Sequence, residues 1–266
     1  MTDGAAAARD YADHVDPSML PVAATLLALA GVREGEVVVD VACGTGLLTH
    51  PAAAAAGPGG RVYGVDDDGD ALAVARTRRP SAAGWARASV ASLPFRTGSV
   101  DKVVCGAVLH RLPDVRPAVA EWARVLAPGG RVAVGAWGSF AESAAEDAVL
   151  RALDEHGVDP AACERRVALL WDGAERRSDA LPALLAEAGL RVTHEAAGDV
   201  TVPFVGAGAF AAWRLSFPRA VSAMGAAANG DRAALRASVV ARVVSLLGPE
   251  AVLVHSGIHY ATASPS

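Results

Sequence analysis

The residues best suited to chemistry lie where Val37-Val38-Val39-Asp40-Val41 passes directly into Ala42-Cys43-Gly44-Thr45-Gly46. A β-branched run that enters a glycine turn and then opens a helix lets a ligand approach backbone nitrogens closely. Asp66 closes a second apolar run, Arg61 to Asp66, and stands twenty residues beyond Gly46. At that spacing a carboxylate can accept hydrogen bonds from two ribose hydroxyls. The combination predicts a nucleoside-containing cofactor. The dinucleotide fingerprint Gly-x-Gly-x-x-Gly is incomplete, because Thr49 replaces its third glycine.

Other chemistries find little support. The cysteines Cys43, Cys105 and Cys163 are far apart and odd in number, which argues against a disulfide framework or a zinc ribbon and for a reducing, cytoplasmic setting. No clustered metal ligands stand out, so no metal site is expected. A net charge of -5 argues against a surface that grips phosphate backbones, and a nucleic-acid partner is not expected. The uncharged stretch Pro17 to Val32 contains two prolines and follows acidic residues, so neither a signal peptide nor a membrane span is read there. With 266 residues, 52% of them hydrophobic and 20% charged, the chain can bury the core of one decorated α/β unit.

The elements that must position these residues follow from periodicity. Strands are expected at Val37–Val41, Arg61–Asp66, Trp85–Ala88, Val100–Gly106 and Arg131–Ala136, alternating with helical patterns as in successive βα units around a parallel sheet. Val115, Val119, Trp122 and Leu126 recur at helical spacing before the stop Pro128-Gly129-Gly130. The second half is mainly helical, with strands expected at Arg191–Val202 and Val252–Ala261. Residues of about 206 to 248 read as a two-helix insertion between them, a usual place for substrate specificity. Seven of the thirteen aromatics, Trp137, Phe140, Trp171, Phe204, Phe210, Trp213 and Phe217, fall within 137–217. They suit either an apolar acceptor pocket or ordinary packing.

Five ordered blocks then resemble the class I S-adenosylmethionine-dependent methyltransferases, in particular the subgroup similar to the ubiquinone and menaquinone biosynthesis enzymes. Asp40 to Gly46 resembles the glycine motif, Gly64-Val65-Asp66 the acidic end of the second strand and Ala91-Ser92-Leu93-Pro94-Phe95 the adenine-side loop. Ser99 to Cys105 with Leu109-His110-Arg111-Leu112-Pro113-Asp114 resembles the fourth strand and its following segment, and Arg124 to Gly130 the turn into the fifth strand. The resemblance implies a Rossmann-like α/β fold, a seven-stranded mostly parallel sheet with helices on both faces and a helical lid. It also implies a helical cap at 1–35, a cofactor-binding core at 36–137 and a C-terminal half at 138–266 that completes the sheet and carries the acceptor lid.

The implied cofactor is S-adenosyl-L-methionine. Gly44 and Gly46 would admit its methionine part, Asp40 would steady the loop and the ammonium, Asp66 would hold the ribose, and Cys105 would offer its carbonyl. Ser89 stands where relatives place an adenine-binding Asp, and Val90 would offer its amide there. Asp67 stands where they place an apolar residue against the base, and Ala42 where the general motif has its first glycine. Tyr11 belongs to an N-terminal segment that in relatives folds over the cofactor. Methyl transfer from a sulfonium is an in-line displacement that demands alignment and exclusion of water, with a general base when the acceptor must lose a proton. His110 is the candidate base, and the residues alone leave open that it is structural. The expected function is methylation of oxygen, nitrogen or carbon on a small, largely apolar acceptor in specialised metabolism. Two readings stay open beside it: a methyltransferase-like scaffold catalysing another reaction, and a nicotinamide-dependent oxidoreductase. Loss of the Asp66 carboxylate is expected to weaken cofactor binding while leaving the fold intact.

Overall fold

The computed structural model describes residues 3–78, 83–106, 108, 109, 112, 114–140, 144–163, 180–248 and 250–266. In chain order the first elements are α1 (Asp3–His14), α2 (Asp16–Ala30), β1 (Val37–Val41), α3 (Thr49–Ala56), β2 (Arg61–Asp66), α4 (Gly69–Arg78), β3 (Gly84–Arg87), β4 (Val100–Gly106) and α5 (Arg116–Val125). There follow β5 (Leu126–Phe140), α6 (Ala144–Glu155), α7 (Pro160–Cys163), α8 (Ala180–Glu187), β6 (Leu190–Phe204), α9 (Ala207–Arg214), α10 (Pro218–Ala227), α11 (Arg232–Leu247) and β7 (Val252–Pro265). The expected strands are all present, and those after residue 125 run longer than their apolar cores, since backbone pairing continues past the buried stretch.

The seven strands form one sheet in the order β3-β2-β1-β4-β5-β7-β6. β1 pairs in parallel with β2 and β4, β2 with β3, and β4 with β5. Thr193 Oγ1 meets Thr262 Oγ1 at 2.8 Å and Ser266 Oγ donates to the Gly189 carbonyl at 3.1 Å, so rising numbers meet falling ones and β6 and β7 are antiparallel. A central parallel strand covered on both faces reads as a continuous apolar run, which accounts for Val37–Val41. The chain leaves β1 toward β2 and β3 and later returns on its other side as β4. The strand order therefore reverses between β1 and β4, and ligands of open α/β sheets bind outside the carboxyl ends of such strands.

Two compact units divide the chain. One draws on Met19–Gly138, Val167–Gly198 and Gly257–Ser266, the other on Met1–Ser18, Ser139–Arg166 and Asp199–Ser256. In the sheet unit α2 is fastened at its end by Arg131 Nη1, which donates to the Leu29 carbonyl at 3.2 Å. One face of α5 buries Ala118, Val119, Trp122 and Val125 against the sheet, in the 3.6-residue rhythm the sequence shows. Within the sheet, Gly64 is required by close approach: a Cβ there would lie 2.5 Å from Trp85 Cζ3.

The helical unit corrects one expectation. The 206–248 insertion holds three helices, because Pro218 cannot continue α9 and instead occupies the first turn of α10. Its core is aromatic: Phe204 meets Phe210 and Trp213 at centroid distances of 5.6 and 5.1 Å, and Trp213 meets Phe217 edge-on at 4.9 Å. Buried Arg214 donates to Glu146 Oε1 at 2.6 Å and to the Cys163 carbonyl at 3.0 Å. α1 joins this unit through Asp10, which accepts from Ser216 Oγ at 2.8 Å and pairs with Arg236 at 3.1 Å. Among the described residues no helix is long and apolar enough to cross a membrane.

Candidate functional site

The carboxyl end of β1 lies beside those of β2 and β4, with Asp40 in register with Gly64 on one side and Val104 on the other. The chain then turns through Ala42, Gly44 and Gly46 at φ of 55°, 54° and 86°. Glycine reaches that left-handed region freely, whereas Ala42 does so against its own Cβ. Cys43 N donates to Val65 O at 3.0 Å and Gly46 N to Cys43 O at 2.9 Å, so the turn closes on itself and on β2.

Two carboxylates lie beneath it. Asp66 Oδ2 accepts from Gly44 N at 2.7 Å and its Oδ1 from Asp68 N at 2.9 Å. Both oxygens of Asp66 are thus turned toward the backbone at the rim of the turn. Asp40 is 1% exposed; its Oδ2 accepts from Thr49 Oγ1 at 2.5 Å, while Oδ1 is buried without a hydrogen-bond partner. Burial pushes the Asp40 carboxyl up to about 7, the Thr49 hydrogen bond opposing and the charge of Asp66 adding to the shift. A buried acid with one orphaned oxygen favours a cationic donor such as an ammonium.

This arrangement bears on the dinucleotide alternative. A phosphate-binding turn points free backbone amides at the anion. Here the amides of Cys43, Gly44 and Gly46 are all engaged within the protein, and the carboxylates below would repel a pyrophosphate. Thr49, which breaks the dinucleotide fingerprint, is the residue that holds Asp40.

The remaining sequence-designated residues are placed as follows. Asp67 is exposed, and its carbonyl accepts from Arg87 Nε at 2.9 Å. Ser89 begins a loop joined to β2 by Ala88 N donating to Asp66 O at 3.0 Å, and its exposed Oγ accepts from Ala91 N at 3.2 Å. Val90 is half-buried, and its carbonyl accepts from Trp122 Nε1 at 3.3 Å. Cys105 is fully buried in β4, and burial pushes its thiol up, as it does that of Cys43 beside the two carboxylates. Neither thiol is a nucleophile at neutral pH. Tyr11 belongs to the helical unit, where its ring stands edge-on to Phe217 at 6.1 Å. His110 lies outside the described residues, as does Trp171. Of the expected pocket aromatics, Phe204, Phe210 and Trp213 are buried against one another, so much of their surface is used in packing.

Two features escaped the sequence reading. Trp85 covers the space left by the missing side chains of Gly46 and Gly64 and meets His50 edge-on at 5.5 Å. Glu121 and Arg124 of α5 hold the loop after Ser89: Glu121 Oε1 accepts from Leu93 N at 2.7 Å, and Arg124 Nη2 donates to the Phe95 carbonyl at 2.9 Å. Both partnerships span some thirty residues of sequence and have no local signature. Among the described residues no group of three or more His, Cys, Asp or Glu is placed to hold a metal ion.

Residues 39–134 match the family model described as a methyltransferase domain. A demethylmenaquinone methyltransferase of Staphylococcus aureus is 38% identical over 104 residues, which is 38% of this chain and 43% of that protein. The chain thus matches less than half the length of this curated relative. Among solved structures, a methyltransferase from Bacillus halodurans, itself titled putative, aligns over 92% of this chain and 99% of its own, with 19% identity and a TM-score of 0.57. The [4+2]-cyclase SpnF aligns over 92% of this chain and 80% of its own, with 18% identity and a TM-score of 0.54. At these identities the structural likeness establishes the fold alone.

Proposed function

We propose that this chain, whose residues 39–134 match the methyltransferase-domain model, is a class I enzyme that transfers a methyl group from S-adenosylmethionine to oxygen, nitrogen or carbon of a small, largely apolar acceptor in specialised metabolism. One observation carries the choice of cofactor: the floor of the glycine turn is acidic, with an orphaned buried oxygen on Asp40, while the amides of Cys43, Gly44 and Gly46 are already paired. That site suits a cation bearing a ribose and disfavours a pyrophosphate. The S. aureus relative's name agrees with an apolar acceptor.

When bound, the cofactor supplies an electrophilic methyl on a sulfonium. The protein's own residues then have the tasks of binding, orientation and proton removal. Asp66 accepts from the ribose hydroxyls, and Asp40 Oδ1 faces the ammonium. Gly44 and Gly46 keep the turn free of side chains, and Ala42 and the Cys105 carbonyl border the methionine part. Ser89, Val90 and Asp67 border the adenine. His110 removes the proton from a hydroxyl or ammonium acceptor, since an imidazole is matched to neutral pH.

Thermal melting with S-adenosylmethionine, S-adenosylhomocysteine and NAD tests this reading, because a ligand that binds only the folded state raises the melting temperature with its saturation. Stabilisation by both adenosyl ligands and not by NAD is expected. Stabilisation by NAD alone overturns the proposal. Tight adenosyl binding with no methyl transfer to any of a panel of phenols, amines and activated carbons moves the chain to the reading of a methyltransferase-like scaffold for another reaction.

A further inference from the structure

The loop Ser89–Phe95 has no regular structure, yet side chains of one helix bind its backbone at four points. Trp122 Nε1 donates to Val90 O at 3.3 Å, Glu121 Oε1 accepts from Leu93 N at 2.7 Å, and Arg124 Nη2 donates to Leu93 O at 3.4 Å and Phe95 O at 2.9 Å. Glu121 and Arg124 are themselves joined by a two-pronged pair, Nε to Oε2 and Nη2 to Oε1, both at 2.7 Å. Arg124 Nη1 reaches Thr97 Oγ1 at 3.2 Å, extending the hold to the next turn. Leu93 is buried and Phe95 packs on Tyr63 at 5.3 Å, so apolar contacts seat the loop. Such contacts are non-directional, whereas a forked guanidinium–carboxylate pair bonded to a backbone N–H and two carbonyls also fixes orientation.

From this we infer that Glu121 and Arg124 are positioning residues for base recognition: they hold the Ser89–Phe95 backbone so that its edge discriminates adenine from other bases. The inference rests on the cofactor reading above, in which Ser89 and Val90 border the adenine. The ribose and methionine groups are held by Asp66 and Asp40, which the clamp does not touch. Its loss therefore blurs the choice of base while leaving the rest of the ligand's contacts in place. A group that reads an exocyclic amine rejects an oxo analogue only when its own backbone is held still, since a shifted donor or acceptor loses the geometry on which a hydrogen bond depends.

Calorimetric dissociation constants for S-adenosylhomocysteine and S-inosylhomocysteine, which differ at the amine, supply the test. The wild type is expected to prefer the adenosyl ligand by about tenfold or more, the equivalent of one well-formed hydrogen bond. Arg124→Met and Glu121→Gln should bring that ratio down to about two, and Arg124→Lys should restore it in part. Arg116→Ala, on the same helix but paired with Glu187 outside the clamp, should leave it unchanged. A purely structural role would weaken both ligands equally and keep the ratio. An unchanged ratio in a folded variant, or no preference in the wild type, overturns the inference. Failure of the wild type to bind S-adenosylhomocysteine overturns the cofactor reading itself, before any variant is compared. Hydrogen exchange at the Leu93 amide in ligand-free protein should quicken about tenfold in Glu121→Ala, and full protection there would also refute the clamp.

Discussion

Replacing Asp40 by Asn should stabilise the protein at alkaline pH and weaken its hold on a cationic ligand. Asn retains an acceptor for Thr49 and places a neutral amide where the buried carboxyl otherwise has an unpaired oxygen. The folded carboxyl titrates near 7 and the unfolded one near 3.8, a gap of about three units. Between those values the folded chain holds a proton that the unfolded chain has lost. The stability tied to Asp40 is therefore complete below pH of about 4 and is lost as pH rises through about 7. At about 1.4 kcal/mol per unit the total is about 4 kcal/mol. Asn does not titrate, so the difference between the two proteins isolates this group from every other. Melting temperatures of wild type and variant should coincide near pH 4 and separate by on the order of 10 °C at pH 8, with the variant higher. Parallel curves across that range, or a less stable variant at pH 8, would falsify the picture of a buried, half-satisfied acid. In the same variant S-adenosylmethionine and S-adenosylhomocysteine, which share the ammonium, should lose affinity to a similar extent, whereas methylthioadenosine, which lacks it, should lose little; equal losses for all three would remove Asp40 from the ammonium's surroundings.

Three further substitutions probe the site. Asp66→Ala should lower cofactor affinity at least about tenfold, and it strips acceptors from the Gly44 and Asp68 amides. A stability loss of about 1–3 kcal/mol should accompany it, contrary to the expectation from sequence of an intact fold; unchanged melting and affinity would refute both roles. Ala42→Gly relieves a left-handed alanine at φ 55°. The relief of roughly 1–2 kcal/mol exceeds the entropy cost of glycine, roughly 0.5–1 kcal/mol, so the melting temperature should rise by about 1–3 °C, and a fall would show that the turn is unstrained. Gly64→Ala brings a Cβ to 2.5 Å from Trp85 and 2.9 Å from Cys43 Sγ. A loss of about 1–3 kcal/mol is expected, partly restored by adding Trp85→Leu, and additive losses in the double variant would exclude the contact as the cause.

The alternation of strands and helices, the glycine turn and the acidic end of β2 were all legible in the chain. Each depends on residues within a few positions of one another, where β-branched runs, helical periodicity and glycine act locally. Spacing alone also brought Asp66 beneath Gly44, because one βα unit of about twenty residues returns the chain to the neighbouring strand end. The number of helices after residue 206 was misread because Phe210, Trp213 and Phe217 keep helical rhythm across the break before Pro218. The tertiary structure decided the rest. Thr49 looked like a missing glycine until folding set its hydroxyl on Asp40, and Trp85 looked like one weak strand residue until pairing laid it over Gly64. Glu121 and Arg124 were ordinary polar positions on a helix whose buried face was plain, and their bonds to Leu93 and Phe95 exist only because α5 packs beside that loop. Periodicity tells which face of an element is covered. Which distant backbone its polar edge then meets is set by strand order and packing.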